Sequence, residues 1–318
     1  MRRTKIAVAV LTFVIALMGP LIAESATASA ARIDRIDELS STRSALFIES
    51  PSMGRIIQVQ VLHPAGGGEY PSFYLLDGLD PGVDQSTWTN ATDAESFFLG
   101  RKVNVVLPVG GQASYYTDWQ RDDPEFGRYQ WETFLTEELP PIIDARYGNG
   151  VNAIGGLSMG GNAAFILTAR HPELYRAIAG YSACPDTTLA MGAVMFSIAN
   201  RGGTPVNMWG GPGDPAWAEH DPALLADRLR GKAIYLSTGT GIPGPHEAEI
   251  KPQLAENIVL GGPVEVGVNT CVVSFEQRLR ALGIPAEIEY SSTGTHSWSY
   301  WQDSLHASWP TIGAAIGA

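Results

Sequence analysis

The sequence predicts an α/β fold around a mostly parallel sheet, on three observations. Short apolar runs of strand length alternate with segments of helical spacing. Glycine and proline punctuate the joints, with 35 Gly and 21 Pro among 318 residues. One joint, Gly156-Leu157-Ser158-Met159-Gly160, sets a serine in a strand-to-helix turn.

Taken in order, residues 31–43 read as a lead-in. Arg43 to Glu49 and Ile56 to His63 form an early antiparallel pair, turned at Ser52-Met53-Gly54. Ser72 to Leu76 is a buried strand ending at Asp77-Gly78, and Lys102 to Leu107 is another ending at Pro108. Spacing predicts a helix over Trp131 to Asp144, stopped at Tyr147-Gly148. Asn152 to Gly156 is a strand and Asn162 to Arg170 a helix closed by His171-Pro172. Ala177 to Ser182, Lys232 to Ser237 and Ala286 to Tyr290 read as the later strands, with helices over Glu249 to Leu260 and Cys271 to Leu282. The rhythm breaks from Cys184 to Arg230, a stretch rich in Gly, Pro and Trp. That stretch (about 184–230) is expected to be a cap inserted into one domain spanning 31–318.

The bulk numbers agree. A hydrophobic share of 45% excludes wholesale disorder, and the length suits one large α/β unit. Residues 1–30 read as a signal peptide: Arg2, Arg3 and Lys5 precede an apolar stretch from Ile6 to Met18, and Ala28-Ser29-Ala30 offers a cleavage site. Its loss would remove three basic residues and one acid, taking the formal charge from −12 to −14. So acidic a chain is a poor match for nucleic acid or an anionic membrane. An exported chain with two cysteines, Cys184 and Cys271, predicts a disulfide between them. The six histidines show no metal-ligand spacing, so no metal or organic cofactor is expected.

The turn at Ser158 has the form of a nucleophile elbow, which needs small residues at Gly156 and Gly160 where strand and helix crowd together. A serine hydroxyl becomes a nucleophile only when a base takes its proton. The base should follow the last strand, in the order Ser, acid, His. His296 fits; His306 reads as a surface residue of a terminal helix, His171 as a helix end, and His246 as a loop alternative. The acid must lie between, and the candidates taken near or after the strand Lys232 to Ser237 are Glu247, Glu249, Glu256 and Glu265. Residue types and spacing do not choose among them.

Several strings resemble the antigen 85 mycolyltransferases. They include Ser52-Met53-Gly54-Arg55, Tyr74-Leu75-Leu76-Asp77-Gly78-Leu79, Leu107-Pro108-Val109-Gly110-Gly111-Gln112 and Tyr116-Thr117-Asp118-Trp119. Asp214-Pro215-Ala216-Trp217, Glu256-Asn257 and Gly294-Thr295-His296-Ser297-Trp298 continue the likeness, which spans about residues 45–305. The resemblance implies an α/β-hydrolase fold and a Ser158, Glu256, His296 triad. It implies oxyanion donors at the Leu79 and Met159 backbone and a sugar-binding Asp77, with Trp298 as a further substrate contact. The partners it implies are trehalose mycolates and cell-wall glycan acceptors, outside the cell in the envelope. The chain departs from the family pattern at Asp80, where an arginine commonly helps bind sugar, and in the placement of its cysteines. Two other functions fit the sequence: a secreted carboxylesterase with water as acceptor, and a non-catalytic protein binding envelope, host or matrix proteins.

Overall fold

The computed structural model describes residues 30–248 and 254–318. Apart from Ala30, the expected signal peptide lies outside the described residues, and so does Glu249.

Among the described residues nine strands form one sheet: β1 (Arg32–Ser40), β2 (Arg43–Ser50), β3 (Arg55–Leu62), β4 (Tyr70–Leu76), β5 (Asn104–Pro108), β6 (Gly148–Leu157), β7 (Ala177–Tyr181), β8 (Ala233–Thr238) and β9 (Glu287–Tyr290). Their spatial order is β1-β2-β3-β5-β4-β6-β7-β8-β9. The first three strands and β5 pair antiparallel, and everything from β5 through β4 to β9 is parallel. This is the α/β-hydrolase architecture.

The central strands are apolar on both faces because helices cover both. Along β4, Tyr74 and Leu76 face a core that includes Phe165 and Phe275, while Phe73 and Leu75 face one that includes Trp88, Leu305 and Trp309. The first core lies under the helices Ser158–Arg170 and Gly262–Ala281, the second under the terminal helix Trp298–Ile316. The segment between β7 and β8 carries short helices, Met191–Ala199, Val206–Trp209 and Ala216–Glu219, and its Trp209 and Trp217 join the first core.

Two expectations need correction. Residues 31–43 are not a lead-in, since Arg32–Ser40 is an edge strand. It reads RIDRIDELS and has no buried residue, so the apolar alternation that marks strands is missing. Second, the two helices expected after β8 are one helical run: Leu254–Glu256, a π-helical turn Asn257–Gly261, and Gly262–Ala281. Gly261-Gly262-Pro263 looks like a break. Here Pro263 falls in the first turn of Gly262–Ala281, where proline's missing N–H matters least, and the π turn before it keeps the run continuous.

Candidate active site

Strand register gathers the site at one edge of the sheet. Leu76 pairs with Gly156, Leu157 with Tyr181, and Tyr181 with Ser237. The residues that leave these strand ends, Asp77, Ser158, Ser182 and Thr238, therefore emerge side by side at the carboxyl edge, where open α/β sheets place their ligands.

Ser158 sits between β6 and the helix Ser158–Arg170 with φ +49°, a left-handed conformation that costs a non-glycine residue energy. The packing that holds it there explains the flanking glycines. A Cβ at Gly156 would lie 2.6 Å from the Gly160 carbonyl carbon, and one at Gly160 would lie 2.3 Å from the Asp77 oxygen. Neither position admits a side chain.

His296 arrives on the loop after β9. Its Nε2 lies 2.8 Å from Ser158 Oγ, and its Nδ1 lies 2.8 Å from Glu265 Oε2. Glu265 is buried, which raises its carboxyl pKa. Hydrogen bonds and charge from His296, with hydrogen bonds from Gly239 and Ser182, outweigh that and hold it below the usual range. An ionised Glu265 only accepts, so Nδ1 carries the proton and Nε2 is left to accept from the Ser158 hydroxyl.

The acid position therefore differs from the one the resemblance implies. Glu256 lies in Leu254–Glu256, is exposed, and is not the carboxylate on His296. Glu265, nine positions later, lies in the first turn of Gly262–Ala281 on its buried face, directed under His296. Glu247 has a different task. It accepts from Thr295 Oγ1 at 2.5 Å and from the Tyr300 hydroxyl and the Gly244 N–H, bracing the loop that carries His296.

Ser182, with φ +48°, donates to Glu265 Oε1 at 2.8 Å, beside Gly239 N at 2.7 Å and Thr238 Oγ1 at 3.1 Å. Sequence reasoning missed this cradle. Its only trace was that Ser182 and Thr238 follow or end strands neighbouring the elbow. The other histidines weighed as the base stand elsewhere: His171 on Glu132, His246 on Asp303 and His306 on Asp93.

On the other side of Ser158, the turn Asp77-Gly78-Leu79 runs against the nucleophile. A Cβ on Gly78 would stand 4.0 Å from Ser158 Cβ. The loop after β5 braces both proposed donor residues. Ala113 N–H donates to the Leu79 oxygen at 3.0 Å, and Tyr115 N–H donates to Met159 Sδ at 3.3 Å. Ala113, Tyr115 and Tyr116 all have positive φ, so this loop is strained where it touches the site.

Asp77 is 1% exposed. Its Oδ2 accepts from Ser86 Oγ and Thr87 N–H, each at 3.1 Å, while buried Oδ1 has no partner among the described residues. Burial pushes this carboxyl up to about 7. Asp80 receives Arg201 on both oxygens, and Gln112 at 3.0 Å. The Arg201 guanidinium holds it below the usual carboxylate range. Trp298 is half-buried, with its ring 5.4 Å from Trp88 and 5.2 Å from Trp301. A cavity of about 310 Å³ opens behind Glu265, between Ser182, Ser237, Glu289 and Tyr300; neither Ser158 nor His296 lines it. Cys184 and Cys271 are disulfide-bonded, with Cα atoms 5.1 Å apart.

Known proteins resemble this chain in sequence and in fold. Residues 50–312 match the esterase family, described as putative esterase. The diacylglycerol acyltransferase/mycolyltransferase Ag85B of Mycobacterium avium is 34% identical over 287 residues, covering 86% of this chain and 83% of that protein. The Ag85A enzyme of Mycobacterium tuberculosis strain H37Rv is 35% identical over 286 residues, covering 86% and 81%. Among solved structures, Mycobacterium tuberculosis MPT51 (FbpC1) superposes with a TM-score of 0.70 at 30% identity, covering 85% of this chain and 97% of MPT51. By sequence and by fold, the chain belongs to the esterase family and, within it, to the antigen 85 mycolyltransferases.

Proposed function

We propose that this protein is an exported serine acyltransferase that moves a mycolyl group from one trehalose ester to a trehalose or cell-wall arabinan hydroxyl. The observation that carries the reading is the unbroken relay from Ser158 Oγ through His296 to Glu265, 2.8 Å at each step, in a chain of mycolyltransferase kinship.

Ser158 Oγ attacks the ester carbonyl, and its proton passes to His296 Nε2. The resulting imidazolium is stabilised by Glu265. The Leu79 and Met159 N–H groups receive the oxyanion, each contributing roughly 3 kcal/mol to the transition state. The bond to the leaving trehalose oxygen breaks, and His296 protonates that oxygen. The steps then run in reverse: an acceptor hydroxyl gives its proton to His296, attacks the acyl-enzyme and releases Ser158. We assign Asp77, which follows β4 at the sheet edge that carries Ser158, to accept a sugar hydroxyl through its unpartnered Oδ1, with Trp298 as an apolar wall. The segment 184–230 serves as the cap, and the Cys184–Cys271 bond supports an oxidising compartment outside the cell.

The test is to incubate the protein with trehalose monomycolate. Trehalose dimycolate and free trehalose are expected. Free mycolic acid alone would make the protein an esterase, and no product from a folded sample would leave a binding role. Ser158→Ala should lower kcat by on the order of a millionfold; retained transfer would refute the assignment.

A further inference from the structure

Two residues of the segment between β7 and β8 reach across to the loops that carry the assigned oxyanion donors. They are Ser197, in the helix Met191–Ala199, and Arg201 just beyond it. Arg201 Nε donates to Asp80 Oδ1 at 2.7 Å, its Nη2 donates to Asp80 Oδ2, and its Nη1 donates to the Ser197 carbonyl at 3.3 Å. Asp80 Oδ1 also accepts from Gln112 Nε2 at 3.0 Å. Asp80 directly follows Leu79. On the other donor, Ser197 Oγ lies 2.9 Å from the Tyr115 hydroxyl, and Tyr115 N–H meets Met159 Sδ.

The turn that carries Leu79 needs support from outside itself. Upstream it is well fixed, since β4 ends at Leu76 and Asp77 accepts from Ser86 and Thr87. Gly78 then breaks the stiffness. A Cβ there would lie 2.5 Å from Leu157 Cδ1, so only glycine fits, and glycine leaves the plane of the next peptide free to turn. That peptide carries the Leu79 N–H. Downstream the chain runs out to Val83, 83% exposed, and exposed Asp84. Between the two, the Leu79 oxygen accepts from Ala113 N–H, and Asp80 is the side chain that anchors the turn.

Stability does not account for the ion pair. Its side chains are 55% exposed at Asp80 and 22% at Arg201, and exposed pairs add little to folding. Substrate binding does not account for it either. All three guanidinium nitrogens and both carboxylate oxygens are engaged, so neither group is free for a sugar hydroxyl. A planar fork on a carboxylate sets both distance and direction, which suits it to hold a turn in place.

We propose that Arg201 is a positioning residue for acyl transfer: through Asp80 it aims the Leu79 N–H at the point where the oxyanion forms. The inference rests on the acyl-transfer reading and its oxyanion donors, and it makes the cap part of the catalytic frame. An oxyanion donor works only within a few tenths of an ångström of its place, and a shift of about 1 Å costs on the order of a hundredfold in rate.

The test uses p-nitrophenyl butyrate, a soluble ester without a sugar. Acylation and deacylation both pass through an oxyanion, so kcat reads the donor whichever step limits. Arg201→Gln and Asp80→Asn should each lower kcat by about 10- to 100-fold with KM within about twofold. The double variant should fall no more than about threefold below the poorer single variant, because either change removes the same pair. Arg201→Lys, which keeps the charge without the fork, should lose less than about tenfold. Arg228→Gln, at an exposed position of the same segment, should match wild type within about twofold. Thermal melts of all variants should stay within about 4 °C of wild type. An Arg201→Gln kcat within threefold of wild type overturns the proposal. So do losses that multiply in the double variant, and so does a loss confined to KM for trehalose as acceptor, which would make the pair a sugar ligand. A wild-type protein that hydrolyses the nitrophenyl ester but transfers nothing from trehalose monomycolate would sink the acyl-transfer reading, and the nitrophenyl rates would still decide the role of Arg201.

Discussion

Replacing Glu265 by glutamine separates the two acids that sequence and structure favour. Glu265 Oε1 accepts from Gly239 N–H, Ser182 and Thr238 at 2.7, 2.8 and 3.1 Å, and Oε2 accepts from His296 Nδ1 at 2.8 Å. A glutamine is expected to place its carbonyl where these donors converge, because an amide NH2 there would oppose the fixed Gly239 N–H and force both hydroxyls to give up donating. Its NH2 then faces His296 Nδ1. Two N–H groups cannot share that contact, so the imidazole adopts the tautomer with its proton on Nε2 and can no longer accept from Ser158. In a serine triad the equivalent carboxylate-to-amide change costs about 10⁴ in kcat, or about 5.4 kcal/mol at 1.36 kcal/mol per tenfold. We expect kcat for trehalose monomycolate to fall by roughly 10³–10⁴ with KM within about twofold, because only the proton relay is broken. Glu256→Gln, at an exposed side chain, should stay within about threefold, as surface changes usually do. Steady-state kinetics on both variants, with circular dichroism to verify the fold, decides it. An equal or larger loss at Glu256, or Glu265→Gln within tenfold of wild type, would refute the assignment.

Two further outcomes concern buried groups. Asp77 is raised from 3.8 to about 7 in the folded protein, so between those values the folded state holds a proton the unfolded chain has lost. Its contribution is present below about pH 4 and declines as pH rises through about 7; Asp77→Asn should remove a decline of up to about 4 kcal/mol. Urea melts at pH 5 and pH 8 capture about 3 kcal/mol of it, and parallel profiles for the two proteins would contradict the burial argument. Converting Cys184 and Cys271 together to serine frees a loop of 86 residues, for which chain entropy predicts a loss of about 4–5 kcal/mol and a Tm lower by about 10 °C. An unchanged Tm in thermal melts would mean that the bond does not hold the segments together.

Much of the sheet was legible because its central strands are buried on both faces and so read as continuous apolar runs, as SFYLL in β4 does. β1 was not legible for the converse reason. Its ladder to Ala45, Leu46 and Phe47 is made by backbone groups, while its own side chains stay in or near solvent and carry charge. Pairing of this kind leaves no periodic trace in the sequence.

The site divides along the same line. Ser158 was legible because its chemistry is local: a strand, a turn too crowded for side chains at Gly156 and Gly160, and a helix, all within one short stretch. His296 was legible because chain order restricts the base to residues beyond the last strand. The acid obeys neither constraint. Four candidate glutamates, among others, satisfied the order, and the choice depends on which of them faces inward from a helix whose continuity was itself misread. Ending one helix at Leu260 and starting the next at Cys271 left Glu265 between two helices, with no face assigned. Once the π turn carries the run through, Glu265 falls on the side shared with Val272, Phe275 and Leu279, the side packed on the sheet. Glu256 falls outside it. The identity of the acid therefore turns on whether one glycine-rich segment continues a helix, and the paired glutamine variants test that feature as directly as they test the chemistry.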